Sequence, residues 1–273
     1  MSVETLFFVK FVISISVVLL LSYLAEKFSA KWAGIISGLP TGSAITLYFY
    51  AYENGLEFAS ESALYNMIGL VAMQAFIAGY YITSKFIKQP SILSSTLFGV
   101  IFYLIAAFII SCSQVTLSLA LLVSPASFIF FITLFSGIES LDIKKNVPLT
   151  IRILLIRSLI SGSIIVFITT IAYMIGAKWS GIFSAFPTTL FPLILIIHLT
   201  YGKKYSDTVI KFVPHGLGGL FLYSLIIHLS YKSTGLNIGV IMAFAGTACY
   251  MLGFSLLKKL FAIFNKPKQQ KHK

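Results

Sequence analysis

Two proline–threonine steps, Pro40-Thr41 and Pro187-Thr188-Thr189, carry the polar chemistry of a chain that is otherwise largely hydrocarbon. Ser37 and Ser43 flank the first, and Ser184 precedes the second. A proline within an apolar helix removes one backbone donor and drives its ring against the carbonyl four residues back, here those of Ile36 and Phe183. Backbone freed at membrane depth persists only where protein buries it or a wet cavity reaches it. The neighbouring hydroxyls can replace the lost hydrogen bonds. Such an arrangement suits recognition, with half-helix N-termini and hydroxyls facing a small polar or anionic solute. The competing reading is a pair of kinks that serve packing alone.

Two cations sit near these motifs in the pattern. Lys10 precedes Ser14 by four residues and Arg157 precedes Ser161 by four, so each pair shares a helix face. A basic group inside a span faces protein or water, unless its long side chain reaches out to the headgroups. His215, in Val213-Pro214-His215-Gly216, is a candidate carrier of a coupling proton or a buried ring bonded to a carbonyl. Gln74 is the other central polar residue. All eight acidic residues (Glu4, Glu26, Glu53, Glu57, Glu61, Glu139, Asp142 and Asp207) fall at or near span ends, which argues against an ordinary cation antiporter.

No His-Glu-x-x-His, Asp-rich metal pair or Gly-x-Ser-x-Gly elbow occurs, so the chain reads as neither an enzyme nor a metal or cofactor binder. Cys112 and Cys249 have no metal or redox spacing.

The elements that must hold these residues are membrane helices. The chain is 58% hydrophobic and 10% charged, with mean hydropathy +0.95, whereas soluble proteins carry about a quarter charged residues. Apolar runs fall near 5–25, 33–52, 61–84, 92–111, 115–136, 149–175, 180–200, 207–231 and 237–258. The fold class is therefore an all-α polytopic membrane protein of about nine transmembrane helices. Alternate loops collect 17 Lys and Arg on one side and 3 on the other. The positive-inside rule then puts the N-terminus outside and the C-terminus in the cytoplasm, in the plasma (inner) membrane. The net charge of +12 is thus a matter of topology, with no nucleic-acid partner. The basic tail from Lys258, with Phe261 and Phe264 interleaved, suits anionic lipids of the bilayer.

One segment occurs twice. Ala30-Lys31-Trp32-Ala33-Gly34-Ile35-Ile36-Ser37-Gly38-Leu39-Pro40-Thr41 returns 147 residues later as Ala177-Lys178-Trp179-Ser180-Gly181-Ile182-Phe183-Ser184-Ala185-Phe186-Pro187-Thr188. The same offset pairs Lys10 with Arg157, Ser14 with Ser161 and Tyr103 with Tyr250. The paired tryptophans read as interfacial anchors. The division is a four-helix repeat over 1–112, a linker helix and loop over 113–146, a second repeat over 147–260 and a tail over 261–273. Five spans separate each helix from its copy, so the second half enters the membrane upside down. This 4+1+4 inverted-topology repeat is an arrangement that secondary transporters use for alternating access.

The run Gly181-Ile182-Phe183-Ser184-Ala185-Phe186-Pro187-Thr188-Thr189-Leu190, followed by Leu193-Ile194 and His198, resembles the GlpM-like small membrane proteins. Those are about half this length, so the chain looks like a duplicated version. The first copy departs from the pattern, with Leu39 in place of the Phe and Ala51 in place of the His. The resemblance implies an inner-membrane protein and specifies no substrate.

The function expected from these observations is a transporter or permease for a small polar, anionic-leaning solute. Its site is expected among Ser37, Pro40, Thr41, Ser43, Ser184, Pro187, Thr188 and Thr189, with Lys10 and Arg157 on the approaches. The alternative is a non-transporting membrane subunit with an assembly, lipid-organising or regulatory role.

Overall fold

The structure is a computed structural model and describes residues 3–25, 40–87, 91–141 and 150–264. Among them are nine helices and no strand: α1 (Val3–Ala25), α2 (Thr41–Asn54), α3 (Leu56–Phe86), α4 (Ser91–Ser111), α5 (Leu117–Leu134), α6 (Ile151–Ser184), α7 (Leu190–Tyr201), α8 (Lys203–Thr234) and α9 (Leu236–Phe264). Six of these, α3 to α6 with α8 and α9, are long and apolar enough to cross a membrane. The described residues form an all-helical protein, and its six long apolar helices point to a membrane protein.

The helices do not map one to one onto the nine apolar runs. The run at 180–200 is broken, because helix stops at Ser184 and resumes at Leu190. Its first part is the end of α6, detached from the rest of that helix at Gly176 (φ 74°, ψ 167°). A positive φ of this kind suits glycine, which has no Cβ to clash. The piece Ala177–Ser184 is about 12 Å long and α7, with its 12 residues, about 18 Å. Together the two pieces are about 30 Å long, comparable to the thickness of a hydrocarbon core. The run at 33–52 shows its second part as α2, which starts directly after Pro40. Its earlier part, including Trp32 and Ser37, lies outside the described residues, as does the basic tail beyond Phe264.

Burial sorts the helices by polarity. In the most apolar stretch of α3, 78% of residues are buried, against 22% in α4 and 17% in α5 and α9. α4, α5 and α9 present Phe98, Phe108, Phe130 and Ile241 outward, as befits helices whose solvent is lipid. α3 packs on α8 and α1 on α6. α5 lies against both α3 and α8. Ser124 Oγ pins it by donating to the Met67 carbonyl at 2.8 Å, and Gln74 Nε2 donates to Ser127 Oγ at 2.8 Å. The central Gln74 therefore serves helix packing.

Helix ends recur at the 147-residue offset. Gly55 (φ 92°, ψ 164°) joins α2 to α3, and Gly202 (φ 88°, ψ 172°) joins α7 to α8 in the same conformation. Each of these connections brings a short helix back beside a long one. The long helices in turn pack closely through small residues. At Gly181 an added methyl would collide with the Ser62 carbonyl and lie 2.6 Å from Tyr65 Cβ.

Gly181→Ala should therefore lower stability by about 1–3 kcal/mol, read as a lower unfolding midpoint in detergent. Gly137→Ala meets nothing within 4 Å and should leave the midpoint unchanged. Equal behaviour of the two variants would contradict the close α3–α6 packing.

Candidate functional site

The two proline motifs, far apart in sequence, meet. Thr41 Oγ1 at the start of α2 donates to Thr189 Oγ1 just before α7, at 3.1 Å. Two helix N-termini thus face one another, one from each half of the chain. The first N–H groups of a helix have no intrahelical acceptor and concentrate positive potential there. Pro40 is the N-cap of α2, and its carbonyl accepts from Ala44 N at 2.7 Å. Pro187 plays a similar part at α7, accepting from Phe191 N at 2.8 Å. Both prolines are buried. A proline at a helix start leaves no donor unsatisfied, since its missing N–H would have had no partner there.

Where α6 stops, the carbonyls of its last turn lose their i+4 partners, and side chains from other elements reach several carbonyls between Ala177 and Thr189. Ser62 of α3 donates to the Ala177 carbonyl (3.1 Å) and Tyr50 of α2 to that of Ser180 (3.0 Å). Tyr103 of α4 donates to the Ile182 carbonyl (2.7 Å) and Ser43 of α2 to that of Ser184 (2.8 Å). Past the break, Ser161 Oγ donates to the Thr188 carbonyl at 2.8 Å, and Arg157 Nη2 reaches that of Thr189 at a long 3.5 Å. These contacts meet the demand that buried backbone be hydrogen-bonded.

Asn66 of α3 ties the elements together. It is fully buried. Its Nδ2 donates to Ser184 Oγ at 2.6 Å and to Ser43 Oγ at 3.2 Å, while its Oδ1 accepts from Ser224 Oγ of α8 at 2.6 Å. One amide therefore links α2, α3, α6 and α8. Between the motifs lies a small cavity lined by Thr41, Gly42, Ser43, Thr188, Thr189 and Met73 among others. Its volume is about 20 Å³, room for about one water. The wall is tight: a methyl on Gly42 would run into Thr188 Oγ1.

Of the residues expected at the site, the structure brings together Pro40, Thr41, Ser43, Ser184, Pro187, Thr188 and Thr189, with Arg157 at the edge. Lys10 goes elsewhere. Its Nζ lies 2.6 and 2.7 Å from the two carboxylate oxygens of Glu53, in the last turn of α2, and 5.8 Å from the Phe49 ring centre. A nearby acid offers a buried cation its cheapest partner, and that draws Lys10 to the opposite end of α2 from Thr41. His215 stands nine residues before Ser224 on α8, half a helical rotation away from it, with its ring 5.8 Å from that of Phe212. Trp179 is half-buried and stacks obliquely on Phe183, with ring centres 5.5 Å apart.

Sequence reasoning missed Asn66, Ser224, Tyr50 and Ser62. Only the amide of Asn66 in an apolar stretch could have singled it out. Among the described residues no three His, Cys, Asp or Glu side chains gather as a metal site. Comparison with known families, characterised proteins and solved structures gives no match.

Asn66→Ala removes three hydrogen bonds at once and leaves their partners buried. The expected cost is about 1–3 kcal/mol, measured as a drop in the detergent unfolding midpoint. Thr133→Ala, at an exposed position, is the control. A midpoint unchanged by Asn66→Ala would contradict its linking role.

Proposed function

We propose that this chain is a secondary transporter or permease for a small polar, anionic-leaning solute. Its two four-helix halves would be inverted about the linker helix α5 in the plasma membrane, with the N-terminus outside and the C-terminus in the cytoplasm. The observation that carries the proposal is the meeting of two helix N-termini, one from each half, at Thr41 and Thr189. The matched glycine turns at Gly55 and Gly202 and the packing of α3 on α8, its counterpart at the 147-residue offset, support a pseudo-two-fold relation. The resemblance to GlpM-like proteins fits the same membrane, and a duplicated ancestor would supply both halves.

On this reading the structure is a closed state. A cavity of about 20 Å³ holds a water and no solute, so binding requires the two motifs to part. The seam is held by neutral hydrogen bonds: Thr41 to Thr189, Ser43 to the Ser184 carbonyl, and those of Asn66. Each is worth about 1 kcal/mol net, so opening costs a few kcal/mol. A ligand that prefers the open form can supply that difference. Opening would expose the first N–H groups of α2 and α7 together with Arg157. Those groups favour an anion or a solute rich in acceptors.

The tightness of the seam favours a second reading, in which the breaks are structural and the protein is a non-transporting assembly or lipid-organising subunit. Flux separates the two. In proteoliposomes, at least one solute from a panel of small organic and inorganic anions and neutral polar molecules should cross with the wild type. Thr41→Cys with Thr189→Cys, in a Cys112→Ser, Cys249→Ser background, should abolish that flux when oxidised and regain it on reduction. Pro187→Ala should cut it at least tenfold. Passage of none of the panel, or flux indifferent to the cross-link, would favour the second reading.

A further inference from the structure

At the end of α7 away from the break, α3, α7 and α8 meet around a carboxylate. Asp207 lies in the second turn of α8 and is buried, with only 8% of its surface exposed. Its Oδ2 accepts from Lys203 Nζ at 3.1 Å. Its Oδ1 is buried and has no hydrogen-bond partner among the described residues. Beside it, Tyr80 of α3 and His198 of α7 are joined through the hydroxyl and Nδ1 at 2.7 Å, and both are buried. The charge of Asp207 acts on Tyr80 and on Tyr81. Lys203 is the nearest cation, 5.7 Å from the Tyr81 ring centre, and its charge also reaches His198. Lys85, on α3, completes the charged groups acting on the carboxylate.

A buried ionised carboxylate with one unsolvated oxygen is costly. A proton removes that charge and turns Oδ1 from an unserved acceptor into a donor. We propose that Asp207 is a proton-binding site whose proton affinity the neighbouring Tyr80–His198 pair helps to set. The step is a simple protonation: a lone pair of Oδ1 takes a proton from hydronium, which departs as water, and the carboxylate's negative charge is neutralised. A metal cation fits the place poorly, because it needs several oxygen ligands and here would meet one carboxylate beside Lys203.

The other half of the molecule sharpens the argument. At the 147-residue offset Asp207 corresponds to Ser60 and Tyr81 to His228. Ser60 Oγ donates to the His228 carbonyl at 2.8 Å, and at the corresponding positions of the other end the charge of Asp207 acts on Tyr81. A serine hydroxyl suffices for that contact at one end. The acid at the other end is therefore extra to packing. The inference goes beyond the transport reading, since a proton can bind there whether or not a solute moves.

Infrared difference spectra of the full chain in lipid nanodiscs, recorded on stepwise acidification from neutral pH, test it. A protonated-carboxyl C=O band that appears on acidification, disappears in Asp207→Asn and survives in Glu53→Gln is expected. Lys203→Gln should move the transition to higher pH by about one unit, because the carboxylate loses its adjacent cation. Tyr80→Phe and His198→Gln should each shift its midpoint, and they keep the test open if Asp207→Asn does not fold. A band that persists in Asp207→Asn, the lack of any such band on acidification, or a midpoint unmoved in both neighbour variants would overturn the proposal.

Discussion

Every polar backbone group inside hydrocarbon must find a partner within the protein, and the break between Ser184 and Leu190 makes that demand acute. Ser43 and Ser161 answer it at the Ser184 and Thr188 carbonyls, and further side chains bond to carbonyls along the end of α6. Tyr50, Ser62 and Tyr103 are directed onto the carbonyls of Ser180, Ala177 and Ile182 from three different helices. Those contacts fix how closely α2, α3 and α4 must approach the end of α6. Gly181 permits that approach, because only a residue without a side chain fits against the Ser62 carbonyl. The break thus organises its surroundings, and the surroundings hold it in one conformation.

The same constraint explains the division between core and rim. α3 and α8 carry Asn66, Gln74, Ser224 and Asp207, and they occupy the centre, where partners are available. α4, α5 and α9 are apolar nearly all round and can face lipid. Neutral hydrogen bonds join the halves at the seam, while the part-buried ion pairs of Lys10 with Glu53 and of Lys203 with Asp207 lie away from it. Neutral bonds break at modest cost, whereas parting a buried ion pair leaves uncompensated charges. A seam built from the former is the kind that can open.

The membrane class, most helix positions and the break at Pro187 were legible in the sequence, because hydropathy and proline chemistry act locally. Pro40 was legible for the same reason, and so was the grouping of Thr41 with Thr188 and Thr189, through the repeated segment. The partners were not. Lys10 reads as the counterpart of Arg157, yet Glu53, whose own counterpart is Thr200, draws it away; a single acid in one half overrides the repeat. Asn66 and Ser224 join only when α3 packs on α8, and no spacing along the chain announces a contact 158 residues apart. Asp207 reads as the first residue of a span at its end, but α8 begins four residues before it and the residue is buried.

The central claim is that the halves are inverted, so that the two breaks approach one another from opposite faces. Glu57 and Lys204 occupy corresponding positions at the starts of α3 and α8, and both are exposed. Single cysteines there, in the Cys112→Ser, Cys249→Ser background, can be labelled with a membrane-impermeant thiol reagent in intact cells and in inside-out vesicles. Inverted halves require Glu57→Cys to react only from outside and Lys204→Cys only from the cytoplasmic side. Labelling of both from the same side would contradict the account.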